Sequence, residues 1–350
     1  MSLRLGPTHN CWRIAETAVE LLYAKHPKIP ERYPPGSRVK CIEDTLKHFA
    51  YMDGAEQVGS GKAFRDYIIW ARQLFFNLNL PGEDFICALR FLADALDMEG
   101  GERSGRQAIF IRRELDNLGK LPRNARARAC EPAALNSVAR RYLAALLAGD
   151  EGAAEQLAFG FLDGGRSIAS LYLTVIAPVM HEIGRLWHAN RITVAQEHYC
   201  SACAQVTMAR LFPRIFAVER KGPVLLALCA EGELHQIGIR MVADLFQLEG
   251  WDTRFLGADT PPKALVDMAE MTGASLVAIS ASILPNVPAV VSLISLLRAS
   301  AGGAGTKILV GGYPFNVDED LWRRVGADGT AADAGRAAAL VAEWRGGGVQ

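Results

Sequence analysis

Short apolar runs that alternate with helical patterns mark the last third of the chain. Val224–Cys229, Leu276–Ser280 and Lys307–Val310 are such runs, and each is followed within two residues by a glycine, serine or charged residue and then by apolar residues at helical spacing. Strands that alternate with helices fold into a parallel α/β sheet. We therefore predict a parallel α/β domain over residues 221–346. Ligands of such sheets bind beyond the carboxyl ends of the strands, so the loops after the three runs form the candidate site.

Helical periodicity covers the rest of the chain in two regions. With 350 residues the chain is too long for one ordinary core, so more than one domain is expected. Amphipathic patterns predict an N-terminal helical domain over residues 1–125. Residues 119–132 contain proline and arginine without an apolar period, which predicts an exposed linker. Helical patterns then return and predict a four-helix unit over residues 132–218.

Composition restricts where the chain works and what it binds. The 38 basic and 38 acidic side chains balance, so the charge excess of a direct nucleic-acid binder is missing. The seven cysteines are odd in number and scattered, and no signal-like leader precedes them, which favours the reducing cytoplasm. No uncharged apolar run reaches about 18 residues, so we expect no membrane span. A cytoplasmic protein that binds neither membrane nor nucleic acid is predicted.

An acidic residue and a histidine follow the first apolar run. Glu233 and His235 lie in the segment Glu-Leu-His-Gln-Ile-Gly, which ends at Gly238. In such a loop the imidazole can offer one nitrogen to a metal while the carboxylate holds the other ring N–H. On its own, a loop histidine is more often a surface residue or a hydrogen-bonded one. The pattern therefore indicates a metal ligand only together with further signals.

Those further signals come from a family resemblance. The spacing Glu233-x-His235-x-x-Gly238 resembles the Asp-x-His-x-x-Gly signature of cobalamin-binding domains, with Glu in the place of Asp. The resemblance implies a flavodoxin-like fold in which His235 replaces the cofactor's own benzimidazole as lower ligand of cobalt. Gly311 and Gly312 match the family's glycine pair, where the nucleotide tail of the cofactor passes too close to the backbone for a Cβ.

The loop after the second run is also similar to this family. Ser280 and Ser282 lie in a loop that resembles the family's serine-containing loop, which lines the buried nucleotide tail. Leu284 and Asn286 stand where the family has hydroxyl residues. The resemblance therefore implies a tail-binding loop whose later contacts depart from the family pattern.

The helical unit before the α/β domain carries a second pattern. Trp187 is followed, after nine residues, by Glu197 and His198, and this spacing resembles the helical cap of CarH-type photoreceptors. The resemblance implies that the indole packs against an adenosyl group above cobalt, that Glu197 accepts hydrogen bonds from it, and that His198 lies next to the metal. Without the His235 pattern, a core aromatic and a solvated helix start would be the better explanation of these residues.

The resemblance implies a photoreceptor and not an enzyme. Adenosylcobalamin would be held in the dark, light would cleave its Co–C bond, and His198 would then become a second cobalt ligand and shift the cap. The winged DNA-binding helices of CarH-type repressors are missing, so we expect output through a protein partner or through self-association, as in a dimer. Two alternatives stay open: a corrinoid carrier of a cobalamin-dependent methyltransferase, and an anti-repressor that does not respond to light.

Aromatic residues are abundant in the N-terminal region. A plain hydrophobic core explains them, and so does a groove for a second flat chromophore. A looser resemblance to photocobilin proteins implies a linear tetrapyrrole such as biliverdin in that groove. The aromatic residues in question are Phe64, Tyr67, Trp70, Phe75, Phe76, Phe85 and Phe91.

Overall fold

The computed structural model divides the chain into two compact units, residues 1–128 and 129–350. The boundary that we predict between cap and α/β domain, at residues 218–221, lies inside the second unit and stays a prediction. Among the described helices, none has the length and apolar character to cross a membrane. The structure describes residues 9–33, 36–122, 125–300, 302–303 and 305–346.

The described part of the first unit is helical. Asn79 has a φ of 59°, and Pro81 directly precedes a helix, which explains the break between two helices that the sequence predicts there. Another helix begins where the Ser60 hydroxyl accepts a hydrogen bond from the Ala63 N–H. The helices are α1 (His9–Lys25), α2 (Lys28–Glu31), α3 (Arg38–Gln57), α4 (Gly61–Asn77), α5 (Gly82–Glu99) and α6 (Glu102–Gly119).

Aromatic rings fill the core of this unit. Tyr51 stacks on Tyr67 with ring centroids 3.8 Å apart, and His48 meets Phe85 edge to face at 4.8 Å. Phe76 departs from the set, since it is 71% exposed. The rings pack on one another as in an ordinary core, and the tetrapyrrole stays a prediction.

The second unit begins with the helical cap. Several of its helices start at side-chain caps, such as Asn136 for α7, Asp150 for α8 and the Thr193–Gln196 capping box for α11. A 3₁₀ turn at Arg128–Cys130 precedes the cap, and α9 continues through a π-helical turn into α10. The elements are α7 (Ser137–Leu147), α8 (Glu151–Asp163), α9 (Ile168–Leu171), the π turn (Tyr172–Ile176), α10 (Ala177–His188), α11 (Val194–Arg210) and α12 (Phe212–Ile215). With α9–α10 as one long helix, the predicted four-helix unit is confirmed.

The α/β part is a parallel sheet in the order β2-β1-β3-β4-β5, which is the flavodoxin-like order. The predicted fold class is therefore confirmed. The strands are β1 (Val224–Cys229), β2 (Asp252–Gly257), β3 (Leu276–Ser280), β4 (Lys307–Gly311) and β5 (Gly329–Thr330). The helices are α13 (Ile237–Leu248), α14 (Pro262–Thr272), α15 (Val287–Ala299), α16 (Tyr313–Val317), α17 (Leu321–Arg324) and α18 (Ala334–Gly346), with a 3₁₀ turn at Leu284–Asn286.

A buried polar contact joins the cap to the α/β part within the second unit. Tyr172, in the π turn, donates a hydrogen bond of 2.8 Å to Asp244 of α13. Asp244 also pairs with Arg240 at 2.7 Å. Around this contact the apolar core of the cap continues into Met241 and Leu245 of α13. The cap is therefore packed on the helix that directly follows the His235 loop.

Candidate functional site

The carboxyl edge of the sheet gathers the predicted site residues of the α/β part. Because all strands are parallel, the loops after β1, β3 and β4 meet at this edge. The first loop contributes Glu233 and His235, the second Ser282, and the third the glycine pair. Backbone pairing sets the register, with Ser280 opposite both Cys229 and Gly311.

Glu233 is the hub of this edge. Its side chain is fully buried, and one carboxylate oxygen accepts hydrogen bonds from the His235 ring nitrogen Nδ1 at 2.5 Å and from the His235 backbone N–H at 2.9 Å. The other oxygen accepts from the backbone N–H of Ser282 at 2.6 Å and from the Asn286 side chain at 3.0 Å. Burial opposes ionisation, but these hydrogen bonds outweigh it and lower the pKa of Glu233. One carboxylate thus ties the β1 loop to the β3 loop.

His235 is held by one nitrogen and open at the other. The hydrogen bond from Nδ1 to Glu233 is the main cause of the raised pKa of His235, which burial opposes. Its side chain is nevertheless 53% exposed. Within the described residues Nε2 has no hydrogen-bond partner, so this nitrogen is available to a metal. A carboxylate that fixes the ring through the other nitrogen is the usual support of a histidine ligand.

The glycines of the site differ in the space that a Cβ would have. Gly312 has a φ of 113°, and a Cβ there would lie 2.1 Å from the carbonyl oxygen of Ala281. A side chain at this position would collide with the β3 loop. A Cβ on Gly311 would make only an ordinary contact, and one on Gly238 would meet open space. The structure therefore explains Gly312 by the approach of two loops, a different reason from the predicted approach of the nucleotide tail.

Sequence reasoning gave no site role to two polar residues of this edge. Asn286 stands where the family has a hydroxyl residue. Its side-chain N–H donates a hydrogen bond to Glu233 and so helps to hold the buried carboxylate. Asp259, after β2, accepts from the Gly232 backbone N–H at 2.8 Å and donates its own N–H to the Glu233 carbonyl. Both lie far from Glu233 in sequence, and a polar residue directly after a strand or before a helix is the only sequence signal that points to them.

The cap contributes Trp187, Glu197 and His198. Trp187 lies at the end of α10 and is half-buried, while Glu197 lies in the first turn of α11 and accepts a hydrogen bond from Ser201 at 3.0 Å. The charge of Glu197 is the last and smallest of the causes that raise the pKa of His235. His198 is 66% exposed and lies 3.3 Å from Glu197 on its own helix. The predicted roles of Trp187, Glu197 and His198 above the cobalt stay predictions.

A cavity of about 310 Å³ lies between the cap helices α11 and α12 and the α/β part. Its two sides touch where the Gln236 side chain donates a hydrogen bond of 3.2 Å to Gln205. Among its lining residues are Gln205, Met208 and Phe212 of the cap and Gln236, Arg240 and Phe255 of the α/β part. The predicted cofactor-binding residues are not among those that line this cavity, although Gln236 directly follows His235 in the sequence.

The donor set fits cobalamin better than a bare metal ion. In the part of the chain that the structure describes, no group of three or more His, Cys, Asp or Glu side chains is arranged to hold a metal ion. A corrin ring would bring most of the cobalt ligands itself and would need few from the protein. The open nitrogen of His235, fixed by a buried carboxylate, would be the ligand that this chain supplies.

Family models match both parts of the second unit. Residues 223–339 match the model of the B12 binding domain, and residues 138–211 match a second model with the same description. The second match covers most of the cap, and the first covers the sheet with its loops. Both matched regions together contain all the predicted site residues.

Known relatives are corrinoid proteins. The chain is 27% identical to dimethylamine corrinoid protein 1 of Methanosarcina acetivorans over 48% of this chain and 79% of that protein. It is 25% identical to a corrinoid protein of Desulfitobacterium hafniense over 56% of this chain and 92% of that one. The solved monomethylamine corrinoid protein of Methanosarcina barkeri shares the fold, with a TM-score of 0.53 and 22% identity over 59% of this chain and 98% of its own.

These relatives agree better with the corrinoid-carrier alternative than with the light sensor that the cap pattern predicts. Corrinoid binding is common to both. The adenosyl form of the cofactor, the response to light and the tetrapyrrole find no counterpart in the names of these relatives.

Proposed function

We propose that this cobalamin-binding protein holds its corrinoid with His235 beneath the cobalt and presents the upper face to the cap. The observation that carries the proposal is the pair of Glu233 and His235, a buried carboxylate that fixes a half-exposed imidazole. When bound, cobalamin supplies a cobalt–carbon bond that serves alkyl transfer or breaks in light. The chain itself binds, orients and covers the cofactor, and we do not assign it a substrate of its own.

The residues have separate tasks in this scheme. Glu233 keeps the proton of His235 on Nδ1, so that Nε2 carries the lone pair that a metal requires. Because Glu233 also binds the β3 loop, the imidazole keeps its orientation whether or not a ligand is present. In this scheme Glu197 and Trp187, which come from the cap, would contact the upper ligand.

The first candidate use is that of a corrinoid carrier, which passes a methyl group to or from a partner enzyme. It is supported by the relatives, which are corrinoid proteins named for dimethylamine and monomethylamine. In this use the partner protein would approach the upper face, and the cap would have to expose it. About two fifths of the chain has no counterpart in the solved relative.

The second candidate use is that of an adenosylcobalamin sensor, in which light removes the upper ligand and the cap passes the change to a protein partner or a second copy of the chain. It is supported by Trp187 and Glu197, since an indole and a carboxylate suit a large polar adenosyl group better than a methyl group. The extra first unit also suits a sensor with a separate output part.

Upper-ligand preference separates the two uses. We would measure dark binding of methylcobalamin and adenosylcobalamin to the purified full chain, to Trp187→Ala and to the control Trp322→Ala in α17. A carrier binds methylcobalamin at least as tightly as adenosylcobalamin, and Trp187→Ala changes the affinities for the two forms equally. A sensor prefers the adenosyl form about tenfold, a preference worth about 1.4 kcal/mol, and Trp187→Ala alone removes it. Binding of neither form would refute both uses together with the proposal.

A further inference from the structure

The guanidinium of Arg240 contacts two aromatic rings that belong to different parts of the second unit. Its central carbon lies 4.0 Å from the ring centroid of Phe212 in α12 of the cap and 5.0 Å from that of Phe255 in β2 of the sheet. A cation is attracted to the negative face of an aromatic ring, and the attraction is stronger where water is excluded. The Arg240 side chain is only 17% exposed, so both ring contacts are largely shielded from solvent.

The same guanidinium takes part in a second contact between the cap and the α/β part. Arg240 pairs at 2.7 Å with Asp244, one turn further along α13, and Asp244 accepts the hydrogen bond from Tyr172 of the π turn. Arg240 therefore holds the cap directly through a ring and indirectly through a carboxylate. We name the five residues of these contacts the clasp: Tyr172, Phe212, Arg240, Asp244 and Phe255.

The clasp lies one helical turn beyond the His235 loop. The Arg240 backbone N–H donates to the carbonyl of Gln236 at 2.9 Å, and Gln236 directly follows His235. The Gln236 side chain also donates to Gln205 of the cap. Contacts with the cap therefore start from positions 236, 240 and 244 of α13 and its N-cap. Because these positions are four residues apart, they lie on one face of the helix.

Other contacts between a cation and a ring stay within one part of the second unit. Arg214 lies over Phe159 at 5.3 Å, and both residues belong to the cap. Arg345 lies over Trp251 at 5.4 Å, and both belong to the α/β part. The contact of Arg240 with Phe212 crosses from one part to the other, so its loss should act on the joint between them.

We propose that Arg240 is a positioning residue that holds the cap on α13 and thereby sets how easily the upper face of a bound corrinoid is reached from outside. This inference rests on the proposed function, in which the cap covers that face. A partner protein that reaches the cobalt would have to break the contacts of Arg240 with Phe212 and of Asp244 with Tyr172. Removal of the Phe212 ring leaves the ion pair inside the α/β part intact and deletes one attachment of the cap.

Hydrogen exchange of the full chain without cobalamin tests the clasp independently of the proposed function. Phe212→Leu keeps an apolar side chain but loses the ring. We expect the amides of residues 240–244 to exchange about fivefold faster, as the loss of a shielded cation–ring contact implies. Phe159→Leu, which loses a cation–ring contact inside the cap, is the matched control and should leave these amides unchanged. Equal exchange of these amides in the two variants would overturn the proposal.

A double-variant cycle separates the cation–ring contact from ordinary packing. Arg240→Met removes the charge, and Arg240→Lys keeps it and should restore most of the protection. Phe212→Leu should add less than twofold to the exchange of Arg240→Met, because the contact is already lost. Two effects that multiply in full would refute the role of the guanidinium. If Arg240→Met fails to fold by circular dichroism, Arg240→Met with Asp244→Asn, which removes the unpaired charge, takes its place in the cycle.

Exchange of the upper ligand tests the consequence for bound cobalamin. Aquacobalamin is bound to the full chain in the dark and mixed with cyanide, and the visible spectrum gives the rate at which cyanide replaces water on cobalt. We expect Phe212→Leu to raise this rate about fivefold and Phe159→Leu to leave it unchanged. Equal rates in Phe212→Leu and the unmutated chain would refute the link between the clasp and the upper face.

Failure of the proposed function would give a different result. If the unmutated chain and both variants all failed to bind cobalamin, the proposed function and the consequence for the upper face would be refuted together. Hydrogen exchange of the cobalamin-free chain would still decide whether Arg240 holds the cap.

Discussion

Two histidines, one in each unit, make almost the same hydrogen bond in opposite surroundings. Nδ1 of His48 lies 2.6 Å from the Tyr67 hydroxyl, and Nδ1 of His235 lies 2.5 Å from the Glu233 carboxylate. His48 sits among aromatic rings, and burial lowers its pKa to about 4. The pKa of His235 is raised, first by its bond to Glu233, and its side chain is half-exposed.

The difference separates a structural histidine from a binding histidine. An imidazole enclosed by rings is kept neutral and serves as part of a core. An imidazole that is fixed through one nitrogen by a buried carboxylate, with the other nitrogen open, is prepared for a ligand. The chain has seven histidines. The environments of His48 and His235 differ, and this difference assigns the ligand role to His235 in the second unit.

Removing the carboxylate should have the largest effect on this contrast. Glu233→Gln replaces an acceptor of several N–H groups with an amide that can satisfy only part of them. We expect the second unit to lose about 3 kcal/mol of stability and to lose cobalamin binding. Hydrogen exchange of β1 and β3 amides measures the loss. Glu231→Gln, at an exposed neighbouring position, is the control, and equal stability of the two variants would refute the hub.

Low pH should destabilise the first unit through His48. The pKa of His48 falls from its ordinary value of about 6.5 to about 4 on folding. Between these values the unfolded chain binds more protons than the folded one, so stability is full above about pH 6.5 and is lost as the pH falls towards 4. The whole shift corresponds to about 3 kcal/mol, and because the ring keeps some contact with solvent we expect about 2 kcal/mol.

The measurement is hydrogen exchange of α3 and α4 amides at pH 7 and pH 5, corrected for intrinsic rates. His48→Gln removes the titrating group and should remove most of the pH dependence. If the variant loses stability with acid as steeply as the unmutated protein, His48 is not a buried neutral imidazole.

The fold could be predicted from sequence further than the site could. β1, β3 and β4 are apolar runs that the sequence shows directly. β2 alternates Asp252 and Arg254 with other residues, and β5 has only two residues, so the sequence alone predicts neither β2 nor β5. Spacing alone places Glu233 beside His235 because both lie in one loop. The contribution of Asn286 depends on the meeting of two strand ends, which only the folded sheet provides.

Loss of the buried contact between Tyr172 and Asp244 should lower the stability of the second unit by a smaller amount and leave the site intact. Tyr172→Phe removes the hydrogen bond from the cap to the charged Asp244 and keeps the ring. We expect a loss of about 1.5 kcal/mol, the low end for a bond to a charged group, with no change in the spectrum of bound cobalamin. Tyr142→Phe is the matched control, since it removes a longer bond of 3.3 Å to the neutral Thr207 and should cost less. An equal cost in both variants would argue against a special anchor at Asp244.

The absorption spectrum of the purified protein reconstituted with cobalamin tests the assignment of His235 most directly. We predict that the unmutated chain and His48→Ala both give the spectrum of cobalt with a histidine nitrogen below it. His235→Ala should give the spectrum of cobalamin without that ligand and bind at least tenfold more weakly, a loss of at least about 1.4 kcal/mol. If His235→Ala keeps both the unmutated spectrum and the unmutated affinity, His235 is not the ligand, and the distinction between the two histidines fails.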